Sequence, residues 1–426
     1  MAGSIQWVTA EVISVTLSRP GLQELACRLE PELEGTPPPS MDAVTEPMAD
    51  AVAQPGGDGV PKPVVNAINY TELLGELTPG DRVWLNLKAL DLRLGTGGVA
   101  FVVAPLNTSP KSVNFPKAPG GAPPVLNPPA WAAISGPTTP PVEDSGYLVK
   151  ARYTPLQVAT RGVDSQHSPH HSVLAQAESL EGMPVVVADL HSSLPAICAA
   201  VQHDAAAAGK APLRIAYVMT DGAALPLAFS RTVAQLVASG GLTATVTVGQ
   251  AFGGDYEAVS LHSGLLAARH VAHADLAICI QGPGNLGTDT RWGFSGVAVG
   301  EAVNAAVTLG GRAVGCLRVS GQDPRPRHRG LSHHSLTAYG MVALVAAELA
   351  LPQFTGTLAG LGQQVAAAAQ PLAKRHRLVE VSLDGLDAVL ATTPGLSTMG
   401  RGYSQDPAAF LAAAAAGRLA LMPPSI

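Results

Sequence analysis

Aromatic residues are scarce in this chain, 4% of 426, although 47% of the residues are hydrophobic. The core must therefore be built from Ala, Val, Leu and Ile, small side chains that suit helices laid closely on a sheet. Cysteine is scarce as well. Cys27, Cys198, Cys279 and Cys316 are widely scattered, with no C-x-x-C pair, which argues against a disulfide framework or a zinc–cysteine site and for reduced, buried thiols in a cytoplasmic protein. Cys279 and Cys316 lie inside apolar runs and read as core residues, not nucleophiles. Basic residues are outnumbered, 26 Lys and Arg to 32 Asp and Glu, for a formal charge of -6. No nucleic-acid partner is expected, because neutralising phosphates needs a basic face. The chain starts without a basic stretch followed by an apolar one, so no signal peptide is expected. The most apolar long window, Met341 to Leu351, contains Glu348 and is too short for a hydrocarbon layer of ~30 Å. A soluble protein with no membrane partner is predicted; a homo-oligomer stays open.

Glycine and proline are plentiful, 45 and 36 residues, and the prolines cluster. Trp7 to Val15 alternates apolar and polar residues, a strand signal. Residues 34–62 turn to Pro, Gly, Asp and Met, with Pro37-Pro38-Pro39 and Gly56-Gly57, and read as an exposed, disordered insertion. Short strand-like runs separated by Pro79-Gly80-Asp81 and Gly95-Thr96-Gly97-Gly98 resume at Val64. Together they predict a small β-barrel-like domain over residues 1–104. Residues 105–145 form a second Pro/Gly-rich tract, a linker or lid.

Residues 146–426 predict an α/β domain with a mostly parallel, Rossmann-like sheet flanked by helices. Apolar runs Val185–Ala188, Ile215–Met219, Thr243–Val248, Leu276–Ile280 and Ala313–Val319 alternate with helical segments beginning near Ser192, Ala223, Glu257, Val297 and His333. Continuous apolar strands between amphipathic helices mean a parallel sheet covered on both faces. Leu378–Val381 adds a further strand. Gly240-Gly241 and Gly310-Gly311 fall where helices should end, and Asp406-Pro407 where one should start.

Ionisable residues collect where these strands exit, the edge at which open α/β sheets bind ligands. After Leu276–Ile280 comes Gly282-Pro283-Gly284-Asn285-Leu286-Gly287-Thr288. Backbone amides at Gly282, Gly284, Gly287 and Thr288 can cradle an anion, or the loop is simply a tight turn. It is not the dinucleotide fingerprint. Arg325 and Arg327, in the one basic cluster, suit bidentate phosphate or carboxylate binding. Ser332 reads as an N-cap that puts His333 in the first helical turn, where the dipole favours neutral imidazole. With Asp221 or Asp255 it can transfer protons; adjacent helical residues point ~100° apart, so one of His333 and His334 is expected to face a given ligand. Asp189-x-His191 has a spacing used by metal sites, and His262 is a further possible ligand. His167, His170 and His171 read as a surface loop or a lid over the edge, and Thr398–Tyr403 as a loop able to reach it.

These same residues carry a resemblance. Lys150–Gln157, Thr220–Pro226, Gly249–Asp255, Gly282–Gly296, Arg327–His334 and Ser397–Gly402 resemble a bacterial family of unknown function, number 3866 in the domain-of-unknown-function series. The resemblance implies no activity. Three functions stay open: an enzyme acting on a small anionic, phosphorylated or nucleotide-like molecule; a non-catalytic ligand sensor or scaffold; and a metal-dependent hydrolase using Asp189 and His191.

Overall fold

The computed structural model describes residues 7–30, 63–87, 90, 98–106, 147–152 and 158–424. The insertion predicted at 34–62 lies outside the described residues, and so does the predicted linker from residue 107 onward. The chain divides into two compact units, residues 1–142 and 143–426.

The first unit is a closed barrel of β1 (Trp7–Arg19), β2 (Leu22–Leu29), β3 (Val64–Asn69), β4 (Arg82–Asn86) and β5 (Ala100–Pro105). The strands close in the order β1-β2-β3-β5-β4. Period-two burial fills it: Val8, Ala10 and Val12 of β1, Leu25 and Cys27 of β2, and Val83 and Leu85 of β4 all point inward. Register shifts at Val12/Ser14 and Val15/Leu17 bend β1 around the closure.

The second unit begins with a hairpin of β6 (Tyr147–Lys150) and β7 (Val158–Arg161). Its main sheet comprises β8 (Pro184–Val187), β9 (Ile215–Thr220), β10 (Ala244–Val248), β11 (Tyr256–Ala258), β12 (Leu276–Gln281) and β13 (Arg312–Cys316). After the short pair β14 (Val319–Ser320) and β15 (Gly330–Leu331), β16 (Glu348–Gln353) and β17 (Arg377–Ser382) complete it. The order is β11-β10-β9-β12-β8-β13-β16-β17, and every neighbouring pair is parallel. A last two-stranded piece joins β18 (Ser397–Thr398) to β19 (Arg401–Gly402). All residues of β10 and β12 are buried, which is why both lack charged residues, although β10 carries the buried hydroxyls of Thr245 and Thr247. Alanine-rich helices cover the sheet. Leu194–Ala207 and Pro407–Leu421 pack so closely that a Cβ at Gly417 would stand 2.7 Å from the Ile197 carbonyl oxygen. Low aromatic content and close helix packing thus have one cause.

Several boundaries differ from the predictions. The helix expected near Ala223 starts at Arg231, because Pro226 interrupts the segment and Ser230 caps the helix by accepting from the Val233 amide. The one expected near Glu257 starts at Leu261, capped by Ser260, after β11. The apolar window Met341 to Leu351 runs into β16, which begins at Glu348. Gly240 and Gly310, both with positive φ, follow helices Arg231–Ala238 and Ala298–Thr308. Among the described residues no helix is long and apolar enough to cross a membrane.

The connection from β8 leads to β9, and the connection from β12 leads to β13. These moves run in opposite directions across the sheet, so neighbouring strands β12 and β8 mark a reversal of winding. Their carboxyl ends open a crevice there.

Candidate functional site

Asp189 follows β8 at this reversal and collects partners from the exits of β12 and β13 and from the helix His333–Thr337. Arg318, just beyond β13, donates from Nη1 to Asp189 Oδ2 at 2.8 Å. Asn285, in the loop after β12, donates to Oδ1 at 2.8 Å. His334 Nδ1 lies 3.0 Å from Oδ2. Gln281, the last residue of β12, donates to the Asp189 carbonyl at 3.1 Å. Gly296 is what leaves room for the carboxylate, since a Cβ there would stand 1.9 Å from Oδ1. Burial acts to raise the carboxyl pKa. The His334 hydrogen bond and the Arg318 charge outweigh it and hold the group below its ordinary value.

Arg318 and Asp189 make opposite demands on His334 Nδ1. Arg318 Nη1 is 2.9 Å from the same Nδ1, yet a guanidinium only donates and Asp189 only accepts. With Nδ1–H donating to Asp189, the imidazole N–H and the Arg318 guanidinium meet one carboxylate oxygen, and the Nε2 lone pair is left for other work. Phe294 stacks on this ring, centroids 3.7 Å apart and planes 10° apart.

His328 and His333 complete a cluster in which one ring nitrogen from each of the three histidines lies within 4.8 Å of the others. His328 Nδ1 is 2.8 Å from Ser332 Oγ, the same oxygen that caps helix His333–Thr337 by accepting from the His334 amide. Burial, reinforced by Arg318 and Arg325, pushes His328 down to about 3. Burial, reinforced by His334 and Arg327, also lowers His333. Both rings are therefore neutral at pH 7. His333 Nε2 is buried and has no hydrogen-bond partner among the described residues.

Beside His333 opens a cleft of about 440 Å³ lined by Asp289, Arg291, Arg327, His333, Leu336, Thr337 and Met341. Its size falls in the range of small-molecule sites. Arg327 pairs with Asp289 at 2.8 Å, and both side chains are exposed.

Of the residues singled out from sequence, His333 and Arg327 meet in this cleft and Asp189 adjoins the cluster through His334. Arg325 faces Asp323 instead, donating through Nε and Nη2 at 2.9 and 2.8 Å to a carboxylate that is 2% exposed. Gly282 packs under the Ala224 carbonyl, and Gly284 takes φ +95° in open space. Gly287 bridges Phe294, and the Thr288 amide donates to Gly293 at 2.7 Å, so these two close a hairpin within the loop. Asp221 sits two strands from Asp189, about 9–10 Å at the usual strand spacing, and accepts from the Gln250 amide at 2.9 Å. Asp255 lies level with Thr245, near the amino end of β10, and accepts from its amide and hydroxyl at 2.9 and 2.8 Å. The chain doubles back before β11, which carries Asp255 away from the exits.

His191 turns away from Asp189. Its Nε2 is 2.7 Å from Ser230 Oγ, and its Nδ1 is 3.1 Å from the Tyr217 hydroxyl. Burial drives its pKa down to about 4. The Ser230–His191 contact has a nucleophile–base look, but both residues are buried and the serine oxygen is a helix cap. His262 is exposed at the start of helix Leu261–His270. His170 lies edge-on to Tyr256 and His171 bonds the Asp164 carbonyl. The tail does reach this edge: Ser192 Oγ donates to Thr398 at 2.9 Å, and Arg401 bonds Asp406 and faces Asp323.

Sequence reasoning passed over Arg318, Asn285 and Phe294. A charge at the end of the otherwise apolar run Ala313–Val319 was the available signal for Arg318.

A family model described as "Protein of unknown function (DUF3866)" matches residues 66–417. Comparison with curated proteins and with solved structures gives no match.

Proposed function

We propose, for a chain that belongs to the DUF3866 family, that it is an enzyme acting on a small anionic molecule held in the cleft beside His333. One observation carries this reading: two guanidinium groups, Arg291 and Arg327, share that cleft with a neutral imidazole. The arginines suit a phosphate or carboxylate. Arg327 is available at low cost, because its pair with exposed Asp289 is a surface ion pair, worth about 0–1 kcal/mol. An incoming anion can take Asp289's place. Arg325 is not available in this way, being held twice by a buried carboxylate.

His333 touches the ligand and exchanges a proton with it, its neutral state at pH 7 making it a base in the resting protein. Asp189, Arg318 and Asn285 act through His334 as positioning residues, holding the cluster in place from the exits of β8, β13 and β12. The test is a thermal-shift screen of phosphorylated and carboxylated small molecules against the wild type and the Arg327→Ala and Arg291→Ala variants. Stabilisation of the wild type, lost in the variants, supports the assignment. Stabilisation that survives both substitutions refutes it.

A further inference from the structure

We infer that His328, His333 and His334 bind one divalent transition-metal ion, with an open coordination position toward the cleft. The inference deepens the reading of the cleft as a ligand site, but metal binding itself stands on the cluster's own geometry. Three imidazole nitrogens, one from each ring, already lie within 4.8 Å of one another. Around a zinc ion with Zn–N bonds of ~2.0–2.1 Å they would close to about 3.3 Å, a side-chain adjustment on the order of 1 Å.

The surrounding contacts are those of a histidine metal site. Ligating histidines donate their second ring N–H to a carboxylate, hydroxyl or carbonyl, which fixes tautomer and orientation. His334 has Asp189 at Nδ1 and His328 has Ser332 at Nδ1, leaving Nε2 of each as the ligand atom. His333 supplies an Nε2 that is buried with no partner among the described residues. Three imidazole lone pairs gathered together, that of His333 buried and unpartnered among the described residues, do not satisfy one another; a cation satisfies all three. The charge nearby does not forbid it, since Asp189 neutralises Arg318. Three neutral nitrogen ligands and no thiolate suit zinc, cobalt, nickel or copper ahead of magnesium or calcium. A fourth position left to water is the pattern of catalytic zinc sites. With metal bound, His333 is a ligand and no longer a base, and a metal-bound water beside the anion held by Arg291 and Arg327 would take over that role.

The experiment uses full-length protein stripped with chelator and titrated with Co²⁺, then competed with Zn²⁺, while bound metal per chain and visible ligand-field absorption are measured. One Co²⁺ per chain with a tetrahedral-type spectrum, displaced by Zn²⁺, is expected. His333→Ala, at a partly exposed position, should abolish that spectrum. Asp189→Asn should weaken binding about 10–100-fold through the lost orientation of His334, with circular dichroism confirming the fold. No uptake by the wild type, or uptake unchanged in His333→Ala, overturns the inference. Thermal shift by pyrophosphate in the stripped protein separates the two claims. If Arg327-dependent stabilisation persists without metal uptake, only the metal site falls; if metal binds and no anion does in either form, only the function falls.

Discussion

Asp189 and His334 are 145 residues apart in sequence, and their side chains meet at 3.0 Å in the crevice where the sheet reverses its winding. Asp189 also meets Arg318 and Asn285, so the carboxylate ties together the exits of β8, β12 and β13. Removing its charge while keeping its shape should leave Arg318 buried without a counter-ion. Asp189→Asn is therefore expected to destabilise the fold by about 3–5 kcal/mol, read as a lower urea midpoint at unchanged slope.

Gly296 gives an independent test of the same contact. Its replacement by Ala puts a methyl group within 1.9 Å of Asp189 Oδ1, and the carboxylate or the Ser295–Val297 turn must move. A loss of about 1–3 kcal/mol is expected. A melting temperature equal to the wild type's would contradict the packing described.

His191 makes the stability depend on pH. Its folded pKa is depressed to about 4 from 6.5, so between those values the unfolded chain binds a proton that the folded chain refuses. Stability should fall as pH drops from about 6.5 toward 4 and level off below, by about 3 kcal/mol for this group alone. Denaturant unfolding at several pH values should show this slope in the wild type. His191→Gln should reduce it by this group's share, leaving the part that His328 and His333 contribute.

Lys150 and Glu257 form an ion pair at 3.2 Å with side chains 0% and 2% exposed. Lys150 also donates to the Ala251 and Ala258 carbonyls, tying hairpin β6–β7 to the main sheet. Lys150→Met strands a buried carboxylate and should cost about 3–5 kcal/mol. Adding Glu257→Gln removes the charge while an amide oxygen still accepts from Gly253, and should restore part of the loss. A double variant less stable than the single would contradict this account.

The parallel sheet was legible in the sequence because both its faces are covered. Buried strands such as β12 then read as apolar runs, and Gly240 and Gly310 mark where helices end. The edge carrying the site followed from that geometry. Its composition did not. Arg325 reads as a free cation until Asp323, two residues earlier, is seen to hold it, and Asp255 reads as an exit residue until the chain doubles back into three-residue β11. His333 and His334 are neighbours whose directions differ by about 100° on a helix. Sequence says that they diverge, but the folded chain brings one ring nitrogen of each within 4.8 Å of the other, with His333 at the cleft and His334 at Asp189. Arg318 was hidden by lying at the end of an apolar run.

The most direct test of the site is nitrogen-15 NMR of the histidine side chains during titration with inorganic phosphate, pyrophosphate and adenosine monophosphate. The account predicts that a binding anion moves the His333 ring resonances saturably, that Arg327→Ala abolishes the change, and that His262, exposed on another helix, stays still. Saturable binding that leaves His333 unmoved would contradict it.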